Sequence, residues 1–136
     1  MEASNLETTI VSALKYALPA VLSLQLFLGG QARLTRTLTP RLHAHAMRKA
    51  DGTHDALWFI PIADPARHTQ FIGALMMTAG ALVAAPATRV PAGAALTLAL
   101  TTAGVNSQAR MGLDFKLPAV NSVLAVAMWL VEERVV

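Results

Sequence analysis

Asp55, Asp64, His68 and Asp114 are the side chains best suited to move a proton in this chain. A carboxyl drawn partly out of water has its pKa raised and becomes a usable general acid, while a second carboxylate or an imidazole positions water or accepts a proton. Asp114 has the most suggestive neighbours: Arg110 lies one helical turn before it, and Leu113, Phe115 and Leu117 flank it. Asp64 precedes Pro65, a pair that also reads as a helix N-cap followed by a first-turn proline. Groups that could hold a ligand accompany them: Gln25, Trp58, Gln70, Asn106, Gln108, Arg110 and Asn121. A buried amide without a partner costs about 1 to 3 kcal/mol, so the amides are expected to face the interior. There they serve either as a network between helices or as recognition groups for an amphipathic or lipophilic ligand.

Other chemistries lack their residues. The chain has no cysteine, which removes disulfides, thiolate nucleophiles and sulfur-ligated metal. His43, His45, His54 and His68 do not follow metal-ligand spacing: on a helix His43 and His45 diverge by about 200 degrees, and no HExxH occurs. Neither a GxSxG elbow nor a glycine-rich phosphate loop is present. No metal and no cofactor is therefore expected. The net charge of +3 and pI near 10.0 come from basic residues beside apolar segments without interleaved aromatics, which argues against nucleic acid as a partner.

The elements that position these groups read as membrane helices. Hydrophobic residues make up 54% of the chain and charged ones 14%, with a mean hydropathy of +0.49, against about 25% charged in soluble proteins. Residues 69–88 and 90–109 each run twenty residues without a charge, separated by Arg89 alone. Twenty helical residues span about 30 Å, the thickness of a bilayer's hydrocarbon core. Residues 16–32 and 117–131 are also uncharged, and the first stretch extends back to Thr8 if Lys15 snorkels. The expectation is an all-α, single-domain transmembrane four-helix bundle over residues 1–136, with helices near 8–32, 66–87, 90–109 and 117–133. The alternative is two spanning helices with two re-entrant or interfacial ones. Glu2 and Glu7, with no basic region before the apolar stretch, do not resemble a cleaved signal peptide.

Charge placement orients the bundle. Lys15, Arg89 and Arg134 fall on the side of the termini, and eight basic residues fall on the side of the first and third loops, which the positive-inside rule makes cytoplasmic. The membrane is the endoplasmic reticulum in a eukaryote and the plasma membrane in a bacterium. The long first loop, residues 31–68, reads as Thr39-Pro40 opening a short interfacial helix over 41–50, which Asp51-Gly52 ends. The apolar segment 57–62 that follows suggests chain folded back over a cavity mouth, where its backbone must be satisfied by protein or water. On the third helix Gly93, Thr97, Thr101, Gly104 and Gln108 share one face, and Gly73, Gly80 and Ala84 form a matching stripe on the second. Close helix packing is the preferred reading of both.

Residues 11–131 resemble the DoxX-like group of small four-helix membrane proteins. The likeness rests on Leu28-Gly29-Gly30 ending the first helix with basic residues after it, the glycines of the second helix in Ile72-Gly73-Ala74-Leu75-Met76-Met77-Thr78-Ala79-Gly80, a proline-marked turn, and Leu117-Pro118 opening the last helix. That resemblance implies a membrane subunit or scaffold, some members being associated with quinone-linked redox complexes. The chain is also similar in scale to small cofactor-free membrane enzymes of fungal polyketide and terpenoid pathways, which open epoxides, cyclise or isomerise lipophilic intermediates. The leading expectation is such an enzyme, working by acid and base catalysis on a lipophilic small molecule that enters from the lipid bilayer. A non-catalytic subunit is the alternative, and a homo-oligomer is compatible with either.

Overall fold

The computed structural model describes residues 2–135. Among these residues the chain is helical with no strand. Four long helices, α1 (Glu2–Leu34), α4 (Pro65–Ala84), α5 (Ala94–Arg110) and α6 (Lys116–Val135), pack side by side. Two short helices, α2 (Pro40–Arg48) and α3 (Ala50–Ala56), fill the long first connection. Around the bundle, α1 lies between α4 and α6, and α5 closes the ring by packing on α4 and α6. Leu22 and Leu26 of α1, Ala79 and Val83 of α4, Ala94 of α5, and Ala125 and Met128 of α6 form the core.

Local chemistry explains most boundaries. Asp64 caps α4, its carboxylate accepting the Arg67 N–H at 3.2 Å, and Pro65 occupies the first turn. That helix ends at Ala84, short of the expected residue 87, two residues before Pro86. A π-helical turn, Arg89–Gly93, leads directly into α5, so helix resumes near the expected residue 90 with a kink: Pro91 disfavours a helical conformation in the residue before it, and Val90 is extended (φ −130°, ψ 131°). At the end of α5, Gly112 takes φ +69°, and the Leu113 N–H reaches back to the Gln108 carbonyl at 2.9 Å, closing a Schellman-type end. The first connection holds two helices where one was expected: Asp51-Gly52 does not end a helix but lies within α3, and the break falls at Lys49.

The tightest element of the fold is the α1–α4 contact. A methyl group placed on Gly30 would sit 2.7 Å from the Gly73 carbonyl oxygen, and one on Gly73 would sit 2.7 Å from the Gly30 carbonyl oxygen. Two turns further along, Ser23 donates its hydroxyl to the Gly80 carbonyl at 2.9 Å. The glycines of α4 therefore do pack closely, but against α1, and Ala84 is exposed. The α5 stripe serves both its neighbours: Gly93 approaches Val83 of α4, Thr101 accepts the Ser122 hydroxyl at 2.7 Å, and Gly104 meets Pro118 of α6.

Arg89 ties the far end. Its Nε and Nη2 donate to the Val83 and Ala84 carbonyls at 2.7 and 3.1 Å, satisfying the C-terminus of α4, while Nη1 donates to Glu132 of α6 at 2.9 Å. Glu7 and Arg134 meet at this end too, 3.5 Å apart. Lys49 reaches Gln108 and Gly52 packs on Met111 at the other end, so the long helices alternate in direction and the charged groups sort to the ends as expected.

Among the described residues one helix, α1, is long and apolar enough to cross a membrane, and only 17% of its most apolar eighteen-residue window is buried. The others are shorter or carry polar residues near an end: α5 has 17 residues, α4 has Arg67-His68-Thr69-Gln70 in its first two turns, and α6 has Glu132-Glu133-Arg134 in its last turn. At 33 residues α1 is about 50 Å long, overreaching the 20-residue α4 by about 20 Å.

Two stability outcomes follow. Gly30→Val should destabilise the protein by about 1 to 3 kcal/mol, since the carbonyl opposite is backbone and cannot turn aside. Thermal unfolding in detergent, with Gly104→Ala against the side chain of Pro118 as the milder comparison, checks it. Arg89→Met should likewise cost more than Arg134→Met. The first pair has side chains 11% and 22% exposed and the second 71% and 63%, and an exposed ion pair is worth about 0 to 1 kcal/mol.

Candidate functional site

The loop end is held together by histidines. Irregular backbone lacks the internal partners a helix provides, so buried carbonyls there need side-chain donors. His43 donates Nδ1–H to the Ala32 carbonyl in the last turn of α1 at 2.7 Å. His54 of α3 donates Nε2–H to the Ile62 carbonyl at 2.9 Å, and His68 of α4 donates Nε2–H to the Leu57 carbonyl at 3.1 Å. Because a carbonyl can only accept, these bonds fix the tautomer of a neutral ring: in both His54 and His68 the lone pair is on Nδ1. The segment 57–62, expected to need outside satisfaction of its backbone, is pinned at its two ends by these imidazoles.

His68 is fully buried, and its Nδ1 has no hydrogen-bond partner. The His54 ring meets it edge-on, with centroids 5.0 Å apart. Asp55 Oδ1 lies 3.8 Å from His54 Nδ1, with the Asp55 side chain 86% exposed. Of the four expected proton-transfer residues, His68 and Asp55 are thus brought to one cluster, with His54 between them. The other two are elsewhere. Asp64 is exposed and caps α4, the competing role foreseen for it. Asp114 is exposed where a partly desolvated carboxyl was expected, because it stands in the turn before α6, where Oδ1 accepts the Lys116 N–H at 2.9 Å. Arg110 is exposed as well and forms no ion pair with Asp114 among the described residues.

The expected binding groups divide. Gln25 is half-buried and Asn121 buried, and the Gln25 Oε1 and Asn121 Oδ1 oxygens are both enclosed without a partner. Gln108 is half-buried and accepts from Lys49 Nζ at 3.3 Å. Gln70 and Asn106 do not face the interior: both are exposed, next to the buried Thr69 and Ser107, a helical phase of one residue. Both lie within a turn or two of a helix end, where an outward amide can still reach water. Trp58 is 75% exposed, edge-to-face with Phe59 at 6.3 Å, at the rim of the irregular segment.

Three residues of this end were not among the expected ones: His54, Lys49 and Arg33. Arg33, half-buried in the last turn of α1, donates Nη1–H to the buried Thr69 hydroxyl at 2.8 Å. Lys49 is pushed below the ordinary lysine range by its burial and by the nearby Arg33 guanidinium. His45 is held below the ordinary imidazole value chiefly by the Lys49 charge, with burial, Arg48 and Arg33 adding to it. The run of basic residues from Arg33 to Lys49 was a legible signal, but which of its members turn inward was not. Among the described residues no three histidines or carboxylates converge as a metal site would require.

Comparison of the chain with protein-family models, with curated proteins and with solved structures returns no match in any of the three. Fold and site define the molecule as an all-helical protein with one helix apolar enough to span a membrane and a basic, histidine-pinned end.

The charge crowding has a measurable consequence. A base whose folded pKa lies below its unfolded value disfavours proton uptake by the native state, so the stability tied to His45 is complete above pH 6.5 and is lost as pH falls from there through its lowered folded value. In a proton NMR titration Lys49→Gln should shift the His45 midpoint upward, since the largest cause of its depression is removed. An unmoved midpoint would contradict that cause.

Proposed function

We propose that this chain is an integral membrane protein whose four long helices all span the bilayer, with the termini on one side and α2, α3 and the α5–α6 turn on the other, cytoplasmic, side. The uncovered apolar surface of α1 supports this reading. Tyr16, Val21, Leu24 and Phe27 are all exposed on a helix that also packs intimately on α4 through Gly30 and Gly73, which a core helix or a removable leader would not combine. Val120, Val123, Val126 and Leu130 expose a similar face on α6. The absence of cysteine makes the test clean. Single cysteines at Asp51 and Ala87 should label from opposite faces of sealed vesicles with a membrane-impermeant maleimide. Labelling of both from one face would mean that α1 alone crosses.

Within that frame we propose a cofactor-independent enzyme acting on a lipophilic metabolite by acid and base catalysis, of the hydrolase or isomerase and cyclase kind, such as opening or cyclising an epoxide in polyketide or terpenoid biosynthesis. The observation that carries it is the lone pair on His68 Nδ1, enclosed, unpartnered and adjacent to a second imidazole that has a carboxylate at 3.8 Å. Nδ1 of His68 is the base that takes a proton from substrate or water, while its Nε2–H stays with the Leu57 carbonyl and keeps the ring oriented. His54 is the second proton carrier. The substrate enters from the lipid beside Trp58 and Phe59 and displaces residues 58–62, held at Ile62 by His54, while Leu57 stays on His68.

The DoxX-like reading, a non-catalytic subunit holding a partner or quinone, is favoured by a different observation. The amino-terminal part of α1, with Leu6, Ile10 and Leu14 exposed along one side, and Leu130 of α6 border an open apolar groove.

Mass spectrometry of small molecules extracted from the gently purified protein, against an empty-detergent control, supplies the test compound. His68→Gln, which keeps an N–H for Leu57 but removes the ring base, should lower its conversion by at least about a hundredfold. Asp114→Asn should leave conversion within a few-fold. The reverse pattern returns the site to Asp114, and a bound quinone with a stoichiometric protein partner supports the subunit.

A further inference from the structure

Helix α2 turns its charge outward. Arg41, His45 and Arg48 stand four and three residues apart, so they form one row along the helix, and all three are exposed. Leu42, three residues before His45, flanks that row and is exposed too. The opposite side packs on the protein: Ala46 is buried, Met47 is half-buried, and the half-buried His43 donates to the Ala32 carbonyl at the end of α1. Just before the helix Arg36 and Leu38 are both exposed and continue the mixture. A surface helix ordinarily keeps its leucines inward and its charges outward. Here leucines and cations share the outer side.

No carboxylate of the protein answers this row. Helix α2 contains no acidic residue, and Arg36, Arg41 and Arg48 join no ion pair among the described residues. Cations alone suit any acidic surface, but the position of α2 selects one. It begins six residues after α1 ends, and α1 leaves Tyr16, Val21, Leu24 and Phe27 uncovered, so the apolar phase that covers α1 has its boundary beside α2. At such a boundary a leucine leaves water while arginine lays its stem at the same depth and keeps its guanidinium among phosphates. We propose that Arg36, Leu38, Arg41, Leu42, His45 and Arg48 form a docking surface for the headgroup layer of a leaflet that contains anionic lipid. The inference rests on the membrane reading of α1 and not on the catalytic reading of His68. Because α1 holds α2 at the bilayer whatever the lipids are, this surface is not needed for attachment. It registers composition, adding contact only where the leaflet is anionic.

The test uses the full chain carrying Leu42→Cys, its single cysteine, labelled with an environment-sensitive maleimide dye. The chain is reconstituted with vesicles of phosphatidylcholine alone or of phosphatidylcholine with phosphatidylglycerol. Flotation with the vesicles reads the membrane insertion, and dye emission reads the seating of α2. The chain should float with both, and emission should move to the blue only with phosphatidylglycerol and return on addition of salt. Arg41→Gln together with Arg48→Gln should abolish most of the shift, since each cation near an anionic surface is worth about fivefold in binding. Arg36→Gln alone should reduce it, and Lys15→Gln together with Arg134→Gln, at the opposite end, should leave it unchanged. Equal emission in both vesicles, or a shift that survives loss of Arg41 and Arg48, overturns the docking surface while flotation upholds the membrane reading. Flotation with neither overturns both. A shift with soluble polyglutamate but not with phosphatidylglycerol overturns the lipid and names an acidic protein in its place.

Discussion

The approach of α1 to α4 at Gly30 and Gly73 is the constraint on which the rest of the molecule depends. With each backbone carbonyl lying where the other residue's side chain would begin, the two helices are in contact along main chain, and their relative register is fixed to a fraction of a turn. That register delivers Arg33 to Thr69 and Ser23 to Gly80. It also presents the Ala32 carbonyl, at the end of α1, to His43 of the following helix. The loop end is therefore built outward from a steric fact with no chemistry of its own.

A second constraint shapes what is built there. Helices satisfy their own backbone, but the irregular parts of the first connection, segment 57–62 above all, do not, and near an apolar bundle water is a poor substitute. Histidine solves this because one ring nitrogen can donate to a carbonyl while the other stays available. Three of the four histidines do this, and two of the three point a free nitrogen into the region where α3, α4 and the irregular segment meet. Structural need and chemical opportunity coincide in the same side chains.

How far this was readable from sequence depends on how local each cause is. Asp64-Pro65 marks the start of α4 because the cap reaches only three residues ahead, and Pro91 sets the kink before α5 through the conformation of its immediate neighbour. The glycine stripe of α4 is legible as a packing surface, but its partner is not: the residues allow α5 or α1, and the register chose α1. The inward and outward faces of these helices are hard to tell because both sides are apolar, so Gln70 and Asn106 were expected inside while their neighbours Thr69 and Ser107 took that position. The pairing of His54 with His68 joins residues from two helices through an irregular segment, and nothing in their fourteen-residue separation announces it.

The use of Nε2–H by His68 has a further consequence. The bond to the Leu57 carbonyl spends Nε2–H alone, so the ring is held to the chain through one nitrogen while the other, Nδ1, stays enclosed without a partner. One five-membered ring thus anchors the irregular segment with one edge and leaves the other uncommitted.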